Sequence, residues 1–131
     1  MAKSVTPFLM FEGTAEAAAS LYVSLFRDSS IQKIERWGPG EAGPEGSVKR
    51  CHLVVGGLPL RCFDSPAKHA FTFTPSVSLF VDCESEAELD AAFATLSADG
   101  QVMMPPGNYG FSAKFAWTSD RFGVSWQLNL P

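Results

Sequence analysis

The chain has 131 residues, of which 46% are hydrophobic and 18% charged, and its formal net charge is −4. That is the composition of one folded globular domain and excludes disorder. The acidic balance, with no Lys/Arg cluster beyond Lys49-Arg50, excludes nucleic acid, whose phosphates demand concentrated positive charge.

No apolar run reaches the ~20 residues of a membrane span. Met1 to Pro7 lacks the long apolar stretch of a signal peptide. A cytoplasmic protein is expected, with Cys51, Cys62 and Cys83 reduced. Cys51 and Cys62 fall on adjacent strands and could face one another, which leaves a redox role open. Phe is abundant, with 11 residues against 2 Tyr, so rings must fill a core, a cleft wall or a subunit contact.

Residues 7–11, Pro-Phe-Leu-Met-Phe, read as a short buried strand. Thr14 is a suitable N-cap, and Glu16 suits the first turn of a helix. Ala18, Leu21, Tyr22, Leu25 and Phe26 make one apolar stripe, which predicts a helix over 15–26. A strand over 31–37 and a Gly/Pro-rich loop over 38–47 follow. Strands over 48–55 and 58–64 are joined by Gly56-Gly57, a hairpin signal. Pro59 lacks a donor and suggests an edge or bulge position.

After a connection over 65–75, Val77, Leu79 and Val81 alternate with Ser76, Ser78, Phe80 and Asp82, which predicts a strand with one wetter face. Ser85 to Glu88 reads as a capping box. Leu89, Ala92, Phe93 and Leu96 form a second helical stripe, closed by Asp99 with Gly100 as C-cap. Short strands are predicted over 101–104, 111–118 and 123–130, with 105–111 as a loop free to move. Asp120 to Gly123 makes a tight turn between the last two strands, its carboxylate capping its own backbone.

The order strand, helix, three strands therefore occurs twice. Letters repeat as well: Leu9 to Glu12 precedes Leu79 to Asp82 by seventy residues, as Glu16-Ala17 precedes Glu86-Ala87. Two such modules can set helices outside and form a cleft inside.

This order, with Pro7 to Gly13 leading to Leu21-Tyr22, Phe71 to Val81, Gly100 to Pro105 and Asp120 to Gln127, resembles the vicinal-oxygen-chelate superfamily. That group includes glyoxalase I, bleomycin-resistance proteins and extradiol dioxygenases. The match is nearer to the PhnB-like branch, often labelled 3-demethylubiquinone-9 3-methyltransferase. The resemblance implies an α+β fold, two βαβββ modules forming a curved mixed sheet around a cleft, and a homodimer. Module one would cover about 5–65 and module two about 75–131.

Metal-using relatives place His or carboxylate ligands at positions that here fall near Thr6-Pro7, Arg61, Ser76 and Gln127. Arg61 would repel a cation, and hydroxyls with one amide make a poor divalent site. No metal and no cofactor is therefore expected. One literal G-x-G-x-x-G occurs at Gly38, Gly40 and Gly43, but prolines interrupt it and no helix pattern follows. It reads as a loop rather than a nucleotide-binding turn.

The candidate ligand-binding residues are His52, Arg61, Ser76, Ser78, Trp117, Trp126 and Gln127: aromatic surface with a few placed polar groups. Catalytic residues are not assigned. The leading reading is a metal-free cleft that binds a small, partly aromatic molecule. A small glyoxalase- or dioxygenase-like enzyme with an atypical site, either metal-dependent with unusual ligands or with His52 or Asp120 moving a proton, is the alternative. The methyltransferase label is a third reading, carried by the family name alone.

Overall fold

A computed structural model describes residues 1–131. It divides into two compact units, Met1–His69 and Ala70–Pro131, each built as strand, helix and three strands.

In the first unit the elements are β1 (Phe8–Phe11), α1 (Ala15–Leu25), β2 (Ser30–Arg36), β3 (Val48–Val55) and β4 (Leu58–Asp64). They form a four-stranded sheet in the order β1-β4-β3-β2. β1 runs parallel to β4, and the other pairs are antiparallel. The second unit repeats the plan with β5 (Ser78–Asp82), α2 (Glu86–Ser97), β6 (Gln101–Gly107), β7 (Lys114–Ser119) and β8 (Ser125–Leu130), in the order β5-β8-β7-β6. Both modules are thus α+β units of the glyoxalase/bleomycin-resistance type.

Strand alternation assigns the faces. On β3, Val48, Cys51, Leu53 and Val55 are buried, and on β4 Leu60, Cys62 and Asp64. These residues meet Ala15, Ala18, Ala19 and Tyr22, the buried stripe of α1. On the second sheet Ala116, Thr118, Trp126 and Leu128 are buried with Leu89, Ala92 and Leu96 of α2. Each sheet therefore gives one face to its own helix and keeps the other free of it.

Several local features differ from the sequence reading. Thr14 makes no side-chain cap; the Asp64 carboxylate takes that role, accepting from Gly13 N at 2.8 Å and Ala15 N at 3.0 Å. Pro59 lies on an interior strand, yet costs no ladder bond. β1 begins at Phe8, opposite Arg61, so the outer side of β4 is unpaired at Pro59. The capping box forms with a shift: Ser85 Oγ accepts from Glu88 N at 3.1 Å, while Glu88 Oε1 accepts from Glu84 N at 2.8 Å.

At the end of α2 it is Asp99 that adopts the left-handed conformation, at φ 58°. Gly100 is required for another reason, since a Cβ there would lie 2.1 Å from the carbonyl oxygen of Ser119. Strand β6 runs to Gly107 rather than ending near 104. Its two prolines are tolerated because β6 is the sheet's edge.

Candidate functional site

The helix-free face of the second sheet carries the richest polar and aromatic surface. Register sets Ser78 beside Ser125 and Phe80 beside Gln127, while Trp117 pairs with Gln127 from the other side. These side chains join in one chain of hydrogen bonds. The indole N–H of Trp117 donates to Ser125 Oγ at 2.8 Å, Ser125 and Ser78 share a bond of 2.7 Å, and Gln127 Nε2 donates to Ser78 Oγ at 3.2 Å. The indole plane is thereby fixed, and Gln127 Oε1 is left outside that chain.

Aromatic rings continue this face. Phe115 is almost wholly covered, packed by Phe80 (6.4 Å between centroids), Phe111 (5.0 Å) and Tyr109 (6.2 Å). Phe80 and Phe111 themselves stay 56% and 62% exposed, so the cluster offers an exposed apolar platform. Two residues beyond Gln127, Asn129 donates to Asp82 Oδ1 at 2.9 Å, and its own Oδ1 is buried without a partner. A buried acceptor left unmade costs about 1–3 kcal/mol.

The helix-free face of the first sheet differs in charge. Lys33 pairs with His52 across β2 and β3, and His52 pairs with Arg61 across β3 and β4. Glu35 bridges Lys33 at 2.9 Å and Arg50 at 3.2 Å. Burial, then Arg61, Lys33 and Arg50, hold the His52 imidazole below its ordinary value, and Glu35 acts against them. Beyond Arg61, Phe8 and Phe63 pack ring to ring at 5.0 Å.

The expected site residues thus separate. His52 and Arg61 share the first module's helix-free face, and Ser78, Trp117 and Gln127 share the second's. Trp126 does not join them. It is 1% exposed in the core beneath α2, its indole N–H donating to Asp120 Oδ2 at 3.0 Å. Period-two alternation puts Trp126 and Gln127 on opposite faces, so only one of them can reach a ligand there. Ser76 lies in the turn before β5, exposed and bonded to Thr74 Oγ1 at 2.8 Å.

Ser125 and Asn129 were not picked out from sequence. Their spacing of two from Gln127 was the available signal. His69, in the connection, bonds Ser65 Oγ through Nε2 at 2.9 Å. Asp120 caps its turn as expected, its Oδ1 accepting from Phe122 N and Val124 N at 2.9 and 3.1 Å.

A family model described as 3-demethylubiquinone-9 3-methyltransferase matches residues 3–129. The chain belongs to that family. A PhnB protein of Bacillus cereus, provisionally given the same methyltransferase name, is 47% identical over 98% of this chain and 100% of its own, with a TM-score of 0.96. A glyoxylase/bleomycin resistance protein/dioxygenase domain from Frankia shares 17% identity over 99% of this chain and 98% of its own, at a TM-score of 0.62.

The fosfomycin resistance protein FosX of Listeria monocytogenes, complexed with Mn(II) and dihydroxypropylphosphonic acid, shares 10% identity over 100% of this chain and 94% of its own, at a TM-score of 0.63. These last two likenesses are of fold alone. Beside the family match they show that this PhnB-like chain has the fold of glyoxalase/bleomycin-resistance proteins. No curated protein matches the sequence.

The family's name and the fold's metal-using members imply two groups, and the residues fit neither. A divalent ion needs converging His, Cys, Asp or Glu side chains, and no group of three such residues forms. A cationic Arg61, an exposed Ser76 and an amide at Gln127 stand where the resemblance put ligands. S-adenosylmethionine would call on a glycine turn that opens a helix.

The loop through Gly38, Gly40 and Gly43 instead closes on itself, with Trp37 N donating to Ser47 O at 2.8 Å and Gly46 N to Trp37 O at 2.9 Å, and it delivers the chain to β3. Gly43 lies against the Trp37 indole, where a Cβ would meet ring atoms at 2.4 Å. The glycine there makes room for a ring rather than for a cofactor. Finally, no helix is long and apolar enough to cross a membrane.

Proposed function

We propose that this PhnB-like protein binds a small, partly aromatic molecule on the helix-free face of its second sheet, without a metal ion in the site. The observation that carries the reading is the chain Trp117–Ser125–Ser78–Gln127. It holds an indole in a set plane and points one amide oxygen away from its own bonds. An apolar wall with a few convergent polar groups is the usual chemistry of a small-molecule site.

The Phe80–Phe115–Phe111–Tyr109 cluster supplies the wall. A molecule with a ring and one or two N–H or O–H donors suits this surface.

The test is a ligand-observed NMR screen of small aromatic compounds, repeated with Trp117→Ala and Gln127→Leu and in the presence and absence of Mn, Co, Ni and Zn. The reading expects hits that both substitutions weaken and that no ion strengthens. Hits needing an ion, or indifferent to both substitutions, would sink it. The exposed rings Phe8, Phe71, Phe80 and Phe111 also support a homodimer; a monomeric sedimentation coefficient at micromolar concentration would count against that.

A further inference from the structure

We propose that Cys51 and Cys62 are a redox modification site, a dithiol that hydrogen peroxide converts into a reversible disulfide across β3 and β4. Register sets the two residues directly opposite each other. Arg61 N donates to Pro7 O at 3.0 Å, toward β1, so the next amide, that of Cys62, points to β3. The two cysteines are therefore a hydrogen-bonded pair, with Cα atoms about 5.5 Å apart. A disulfide bridges roughly 4.4–6.8 Å. Both are free thiols, buried on the side of the sheet that α1 covers.

The thiols already meet. The Cys62 S–H donates to the Cys51 sulfur, which holds the Cys51 thiol below its ordinary value and pushes that of Cys62 up. Cys51 is thus the nucleophile and Cys62 the resolving thiol. The Cys51 thiolate attacks one peroxide oxygen, the O–O bond breaks, and the leaving hydroxide takes up the proton Cys51 lost. The Cys62 sulfur then displaces the oxygen of the sulfenic acid, and its proton leaves with that oxygen as a second water. Two thiols and one peroxide become one disulfide and two waters.

α1 has 11 residues and rests on the sheet through Ala15, Ala18, Ala19 and Tyr22. Alanines bury little apolar area, so local lifting of this helix admits a small oxidant. Opposed Cβ atoms start about 5 Å apart, wider than the roughly 3.8 Å of a relaxed disulfide. The bond therefore forms under strain, and strained disulfides are the readily reduced ones. Cys83 is the only cysteine of the second unit and serves as the internal reference.

The folded protein is exposed to hydrogen peroxide, its remaining thiols are blocked with iodoacetamide in urea, and it is digested with trypsin. Cleavage after Arg50, Arg61 and Lys68 puts the two cysteines on separate peptides. Peptides 51–61 and 62–68 should appear joined, lighter by two hydrogen atoms than their sum, and an excess of reduced glutathione should part them. Cys83 should be recovered blocked. Cys62→Ser keeps an O–H donor, so dimedone should trap a sulfenic acid at Cys51, while Cys51→Ser should give none at Cys62. Four results would each overturn the proposal: both thiols free after an exposure that oxidises a thiol peptide in the same tube; a link that forms only in urea; a link to Cys83 or between chains; or equal trapping in the two variants.

Discussion

Trp126 donates its indole N–H to Asp120 Oδ2 at 3.0 Å in the core of the second module, while the other carboxylate oxygen accepts two backbone amides of the turn. One buried side chain thus ties the 120–123 turn to the centre of β8. Asp120→Ala leaves three donors unmet and should cost about 3 kcal/mol, with Trp126→Phe costing about 1–2 kcal/mol. Urea unfolding of both variants and of the double variant checks this. The double change should cost less than the sum, since each removes the same bond.

Asp64 has the corresponding task in the first module, where it joins the start of α1 to Val48 N, at 2.8 Å, on β3. Asp64→Ala should therefore destabilise by about 3 kcal/mol, whereas Thr14→Ala, at the apparent N-cap, should change stability by less than about 0.5 kcal/mol. Thermal melts of the two variants decide it, and a larger loss at Thr14 would show that the cap had been misplaced.

Gly100 and Asp99 make an opposed pair. Gly100→Ala forces a methyl against the Ser119 carbonyl and should cost about 2–4 kcal/mol. Asp99→Gly relieves a left-handed residue at φ 58° and should be neutral or stabilising by up to about 1 kcal/mol. Chemical denaturation measures both, and a neutral Gly100→Ala would refute the close approach.

Burial pushes the Cys83 thiol up to about 11, helped by the charge of Glu88. The folded state then keeps its proton where the unfolded chain, near the ordinary value of 9.0, has lost it. Stability is fully present below about pH 9 and falls as pH rises from there through about 11. Cys83→Ala should flatten that fall, as read from melting temperatures between those pH values. In the folded protein Cys83 should also react slowly with a thiol reagent at neutral pH, because little thiolate exists.

Much of this molecule was legible in its residues because the signals are local. The 3.6-residue stripe Ala18, Tyr22 and the stripe Leu89, Ala92, Leu96 are the helix faces that become buried. Gly56-Gly57 is the hairpin turn, with both φ values positive. Strands β3 and β4 begin and end where alternation and glycine put them.

What stayed hidden depends on distance along the chain. Asp64 caps a helix about fifty residues upstream, and no spacing rule announces such a partner. Gly100 reads as a C-cap because glycine takes the left-handed conformation most readily, yet it is Asp99 that takes it. Trp126 and Gln127 were both drawn to one site, although adjacent residues on a strand face opposite ways. The row Lys33, His52, Arg61 spans three strands and exists only once their register is known.

Strand β6 closes one side of its sheet and carries Pro105 and Pro106 within its span. Neither residue has an amide hydrogen to give, so an incoming strand finds gaps where it would need donors. Neighbouring molecules cannot readily lengthen the sheet along that border. Copies of this chain that meet there must do so through side chains, and even in a crowded solution that border resists fibre-like stacking.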